Sequence, residues 1–185
     1  MRRCAIVLLH HPVLDSRGAI VTTAVTNLDV HDLARSARTF GCSDYFVVHP
    51  VTAQRDLVNR IRGHWLDGPG GDRIPDRREA LGVLRVVASL ENVFTALGGR
   101  DRLEVWATAA RAIGRSTSFA VARERFATDG KTVALVFGTG WGVAPAIVAE
   151  SDLLLEPIRA VRGDYNHLSV RAACAIALDR LFGER

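Results

Sequence analysis

Apolar residues along this chain fall into two alternating rhythms. Short, nearly continuous apolar runs at Cys4–Leu9, 45–49, 83–88, 104–107, 132–137 and 152–155 predict strands. Between them, at 28–40, 53–65, 90–97, 118–127 and 167–182, apolar residues recur every three or four positions and predict helices. In the first of these, Val30, Leu33, Ala34, Ala37 and Phe40 form the inward stripe, Thr26 and Asp29 make a capping pair, and Gly41 stops the helix. Asp32 and Arg35 are i, i+3 neighbours on another side, so Asp32 is expected to tether Arg35. Alternating strands and helices specify an α/β fold with a mostly parallel sheet and helices on both faces. A Gly/Pro-rich charged stretch, 67–79, reads as a surface connector.

The last helix breaks the usual rule for a chain end. Residues 172–178, AACAIAL, include no polar side chain over seven positions, which predicts burial on every side. Such a helix either threads through its own domain or is covered by a partner subunit.

With 185 residues, 48% of them hydrophobic, the chain can bury one substantial core, and 1–185 reads as a single domain. The first apolar run is too short for a signal-peptide core or a membrane span, so a cytoplasmic protein with no membrane contact is expected. Cys4, Cys42 and Cys174 are odd in number and widely spaced, which argues against a disulfide framework and a zinc knuckle. His10, His11 and His31 lack metal-site spacing, and no metal is expected. The formal charge is +4, and all but one of the 24 basic side chains are arginine, the residue suited to planar contacts with phosphate.

The richest stretch runs from Lys131 to Val148, where a strand empties into Gly138, Gly140 and Gly142. A dinucleotide loop is one reading, since Glu156 follows Gly138 by 18 residues at the end of the next apolar run. Against it, Val143 stands where a third glycine belongs, Trp141 is bulky within the loop, and only 29 residues follow Glu156. A second loop after the next strand feeds Asn166, His167 and Ser169 into the start of the last helix. Two adjacent strand-end loops and a helix N-terminus would form one cleft at the carboxyl edge of the sheet.

The stretches TNLDVHDLARSARTFG (26–41), VFGTGWG (136–142) and LEPIRA…YNHLSVRAA (155–173), in that order, resemble the three motifs of the SPOUT class of methyltransferases. With the opening at 8–41, the similarity to the bacterial subfamily of SAM-dependent RNA methyltransferases covers essentially the whole chain. The resemblance implies a C-terminal trefoil knot, S-adenosylmethionine as cofactor, RNA (tRNA or rRNA) as partner, and a homodimer formed through the knot and last helix. It places Phe137, Gly138, Thr139, Gly140, Gly142, Leu155, Glu156, Pro157, Ile158, His167 and Leu168 on the cofactor, and Arg35, Asn166 and Ser169 in catalysis. Asp29 stands where ribose-methylating members carry an asparagine.

Methyl transfer to RNA is therefore the expected activity, with a ribose 2′-hydroxyl as the preferred acceptor and Arg35 stabilising developing oxyanion charge from the other subunit. Base methylation, for instance at guanine N1 with Asp164 as proton acceptor, stays open. So do a NAD-dependent enzyme and a noncatalytic knotted dimer that binds RNA. Trp141 is a candidate for stacking on a base, and Arg159, Arg162 and Arg171 for phosphate contacts.

Overall fold

The computed structural model describes residues 2–111, 114–128 and 130–184. In chain order its elements are β1 (Cys4–Leu9), β2 (Val13–Leu14), β3 (Ile20–Val21), α1 (Asn27–Thr39), β4 (Asp44–Val48), α2 (Thr52–Leu66), α3 (Pro69–Arg73), α4 (Pro75–Leu81), β5 (Leu84–Val87) and α5 (Leu90–Ala96). Then come β6 (Leu103–Ala107), α6 (Phe119–Ala127), β7 (Thr132–Gly138), α7 (Pro145–Ala149), β8 (Leu153–Leu154) and α8 (Val170–Phe182). Six strands form one sheet in the order β5-β4-β1-β7-β6-β8, every pairing parallel. β2 and β3 make a separate antiparallel hairpin.

Burial on both faces explains why the central strands read as unbroken apolar runs rather than alternating ones. Along β1, Cys4, Ile6 and Leu8 enter a cluster with Leu33 of α1, Leu81 of α4, Phe119 of α6 and Leu178 of α8. Ala5, Val7 and Leu9 point the other way, into a second cluster with Leu90 and Val93 of α5 and Ile147 of α7. Cys4, Cys42 and Cys174 are free thiols, all buried in the first cluster. Burial, with a hydrogen bond to Cys42 as the larger cause at Cys4, pushes the Cys4 and Cys174 thiols well above the ordinary range.

Local chemistry fixes the helix ends. The Thr26 hydroxyl accepts the Asp29 N–H at 3.2 Å at the start of α1, and Gly41 leaves that helix at φ +69, a conformation glycine adopts without a Cβ penalty. At α8 the Ser169 hydroxyl accepts the Ala172 N–H at 3.3 Å. That cap starts the helix at Val170, so His167 and Leu168 lie in the preceding loop rather than within the helix.

Two further expectations need correction. Residues 67–79 hold α3 and most of α4, each opened by a proline, with Gly70 and Gly71 buried and Arg78 paired with Asp72 at 2.7 Å. The prolines are N-terminal helix residues here, not loop breakers. Helix α8 is not buried all round: Cys174, Ala177 and Leu178 are, while Ala172, Ala173, Ala175 and Ile176 are half-buried. An apolar helix need not be enclosed by its own chain.

Leu178 is fully buried where α8 meets the sheet. Leu178→Ala should lower unfolding free energy by about 3 kcal/mol through lost transfer energy and a residual cavity, as measured by denaturant melts at constant m-value.

Candidate active site

A parallel sheet delivers the carboxyl ends of all its strands to one edge, and here three consecutive ends meet. β7 runs out at Gly138, β6 gives way to Thr108, Ala109 and Ala110, and β8 continues into Leu155, Glu156 and Ile158. With the N-terminal ends of α1 and α8, these segments line a cleft of about 740 Å³, within the usual range of small-molecule sites.

The glycine loop is shaped first by its own backbone. A Cβ on Gly138 would sit 2.6 Å from the Val143 nitrogen, and one on Gly140, which has φ +60, would sit 2.7 Å from the Leu14 carbonyl oxygen. At Gly138 the loop's own Gly142 and Val143 cause the crowding; at Gly140 the β2–β3 hairpin does, bonded to the loop by Trp141 N–H to Leu14 O at 2.9 Å, Leu14 N–H to Gly142 O at 2.9 Å, and Ala144 N–H to Pro12 O at 3.1 Å. Only Gly142, at φ +106, faces open space. Gly138 thus answers to the return of its own loop and Gly140 to the hairpin, rather than to a ligand.

The structure brings Phe137, Gly138, Thr139, Gly140 and Gly142 to the cleft wall. Leu155, Glu156, Ile158, Asn166, His167, Leu168 and Ser169 line it as well. Pro157 is buried and lines a neighbouring pocket of about 300 Å³, which also takes in Arg159 and Asp164 and shares Ala110, Arg111, Asn166 and His167 with the cleft. Arg35 is exposed on α1 and is not among the residues of its own cleft. Its expected tether does not form. Asp32 instead faces Arg171 of α8, with Arg171 Nε 3.6 Å from its carboxylate, because α8 packs along that side of α1.

Sequence reasoning missed the Thr108–Arg111 segment and the Leu14–Thr23 side of the cleft. The first was detectable as the end of a predicted strand; what was lacking was the strand order that sets it beside β7. Glu156 also differs from its dinucleotide role: Oε1 accepts the Phe119 N–H at 2.9 Å and fixes the start of α6. The sheet order counts further against a dinucleotide fold, in which the glycine-rich turn follows the first strand, whereas this one follows β7. Among the described residues, no three His, Cys, Asp or Glu side chains are grouped to hold a metal ion, and no helix is long and apolar enough to cross a membrane.

A family model described as SAM-dependent RNA methyltransferase matches residues 3–183. The chain belongs to that family. The expected SPOUT class and its α/β knot fold are borne out with it. A tRNA (guanine-N(1)-)-methyltransferase of Oleidesulfovibrio alaskensis is 41% identical over 183 residues, covering 98% of this chain but 42% of that protein. The chain thus spans less than half the length of that relative. An uncharacterised protein of Aquifex aeolicus is 38% identical over 180 residues, covering 96% of this chain and 87% of the other. The Aquifex aeolicus TrmH/SpoU tRNA modifying enzyme shares the fold, with TM-score 0.56 at 16% identity, over 98% of this chain and 74% of that one.

The family's methyl donor is S-adenosylmethionine, and the cleft fits it in kind. Phe137, Leu155, Ile158 and Leu168 offer apolar contact for a purine and an aliphatic chain, and backbone with Thr139, Asn166 and Ser169 offers polar groups.

Beneath the family's glycine loop lies a buried polar chain. Thr139 donates its hydroxyl to Leu9 O at 3.1 Å, Thr23 then donates to the Thr139 oxygen, and His10 Nδ1–H donates to the Thr23 oxygen at 3.0 Å. The order follows because a hydroxyl has one proton to give. His10 Nε2 is therefore the unprotonated nitrogen, buried without a hydrogen-bond partner. Burial, helped by His49 with its ring centroid 5.3 Å away, pushes His10 from 6.5 down to about 4. A base held neutral by folding takes up its proton in the unfolded chain first, so stability falls as pH drops through this window. Between pH 6.5 and 4 the protein should lose up to about 3 kcal/mol from His10, and His10→Gln should flatten that slope in melts across pH.

Proposed function

We propose that this protein transfers a methyl group from S-adenosylmethionine to RNA, with a ribose 2′-hydroxyl as the preferred acceptor. The observation that carries the reading is the single cleft that unites the glycine loop, the segment after β8 and the start of α8 in a chain of this family. The cofactor brings a methyl group on a sulfonium, whose reactivity is its own. The protein's part is alignment and charge: Thr139 and the glycine-loop backbone hold one side of the donor, and Leu155, Ile158 and Leu168 hold the other. Asn166 and Ser169 order the acceptor side, where the α8 cap keeps Ser169 in place.

A row of rings at the cleft mouth supports RNA as the acceptor. Tyr165 and Trp141 are 76% and 46% exposed, with His167 between them at ring-centroid distances of 5.6 and 4.9 Å. Arg111 sits 5.4 Å over the Trp141 ring. Exposed rings next to a guanidinium are what unstacked bases and their phosphates bind.

A homodimer is part of the proposal. The half-buried apolar side of α8, at Ala172, Ala175 and Ile176, follows exposed Leu168 in the chain, and a second copy would cover both. Arg35, exposed and outside the lining of its own cleft, would then serve the cleft of the partner and stabilise developing negative charge on the acceptor oxygen.

Methylation of a base is the second reading, favoured by the names of the relatives and by Asp164 in the side pocket next to the cleft. Those names describe whole proteins of which this chain's counterpart is 42%, and Asp164 is exposed.

Calorimetric titration should give about one S-adenosylmethionine per subunit and no heat with NAD; the reverse would return the loop to a dinucleotide. Given labelled donor and unmodified tRNA or rRNA, Arg35→Ala should abolish transfer while donor binding is retained. Unchanged turnover would remove Arg35 from the chemistry.

A further inference from the structure

We propose that Asp29, held by Arg171 and Thr26 in the cleft wall, is the group that takes the proton from the methyl acceptor. The inference rests on the methyl-transfer reading and supplies what that reading lacks. When the acceptor oxygen or ring nitrogen bonds to the methyl carbon, the carbon–sulfur bond of the donor breaks and its electron pair leaves on sulfur. The acceptor's proton must then go to a base. Arginine keeps its own protons at any ordinary pH, so Arg35 can stabilise charge but is a poor receiver.

Among the described residues, three carboxylates line the cleft: Asp15, Asp29 and Glu156. Two are committed to backbone. Asp15 Oδ1 accepts the Arg17 and Ala19 N–H groups at 2.8 and 2.9 Å and closes the β2–β3 turn, and Glu156 holds the start of α6. Asp29 differs. Its residue is 6% exposed, and its carboxylate is bonded by side chains alone: Thr26 Oγ1 donates to Oδ2 at 2.6 Å, and Arg171 Nη1 to Oδ1 at 3.3 Å. The contact to Arg171 is long for a charge-assisted bond, commonly about 2.7–2.9 Å. Arg171 is shared with Asp32, so neither acid takes it fully.

That arrangement suits a proton acceptor. Its partners, Thr26 and Arg171, are rotatable side chains that can follow a change of charge on the carboxylate. The charged and titratable groups around Asp29 are Arg171 from α8, Asp32 on its own helix, Tyr45 from β4, whose hydroxyl donates to the Asp29 carbonyl at 3.4 Å, and His10 beyond the end of β1. Asp29→Asn keeps the shape and preserves the backbone cap at Thr26.

The test uses the full-length protein with labelled S-adenosylmethionine and RNA from cells lacking the gene, comparing wild type with Asp29→Asn under single turnover. The expected result is at least a 100-fold loss of transfer, an S-adenosylmethionine affinity within about threefold of wild type, and a residual rate that climbs steadily with pH as hydroxide takes over. A variant retaining more than a tenth of the wild-type rate overturns the proposal. So does a loss of donor affinity that matches the loss of rate, since Asp29 would then hold the donor's cationic end. If wild type transfers no label, the methyl-transfer reading itself fails and the role of Asp29 falls with it.

Discussion

The register between β1 and β7 is the constraint from which the cleft follows. The two strands pair in parallel from Cys4 opposite Val133 to Leu9 opposite Gly138, so both end at the same level in the middle of the sheet. Immediately beyond, Thr139 bonds the Leu9 carbonyl through backbone and side chain alike, and the chain after Leu9 turns through the hairpin that crowds Gly140. A slip of one residue would reverse every side chain of a strand buried on both faces and would also detach the glycine loop from its hairpin. Core packing and loop geometry are thus one requirement met twice along the same pair of strands.

This coupling also explains a bare loop that needs no pyrophosphate. Gly138 and Gly140 make room for protein backbone, and the space left by Gly142 opens onto the cleft. The polar chain from Thr139 through Thr23 to His10 anchors the same loop from beneath. A buried chain of this kind holds one geometry well and tolerates substitution poorly, because each missing partner leaves a desolvated group behind.

Much of the fold could be read from periodicity. β1 has the predicted bounds, the other predicted strands and the long helices differ by one to three residues, and the capping signal at Thr26 falls at a true helix start. The short elements could not be read this way. α3 and α4 have too few turns to show a period, and β2 and β3 are two residues each, stabilised by the glycine loop far along the chain. The loops expected at the site do converge, since strand-end loops of a parallel sheet must share an edge. Pairings between helices were beyond reach: Asp32 finds Arg171 across the whole chain, a contact that local spacing cannot disclose. The apolar run in α8 was visible, but a sequence does not distinguish a helix enclosed by its own fold from one left half open.

The three cysteines give the core a built-in reporter. Cys4 is on β1, Cys42 just ahead of β4 and Cys174 on α8, yet all three lie in one buried cluster. In the folded state they are shielded from reagents, and at Cys4 and Cys174 the reactive thiolate is suppressed as well. Alkylation therefore has to wait for the sheet and α8 to part, and the relative labelling rates of the three thiols would trace the order in which the core comes open.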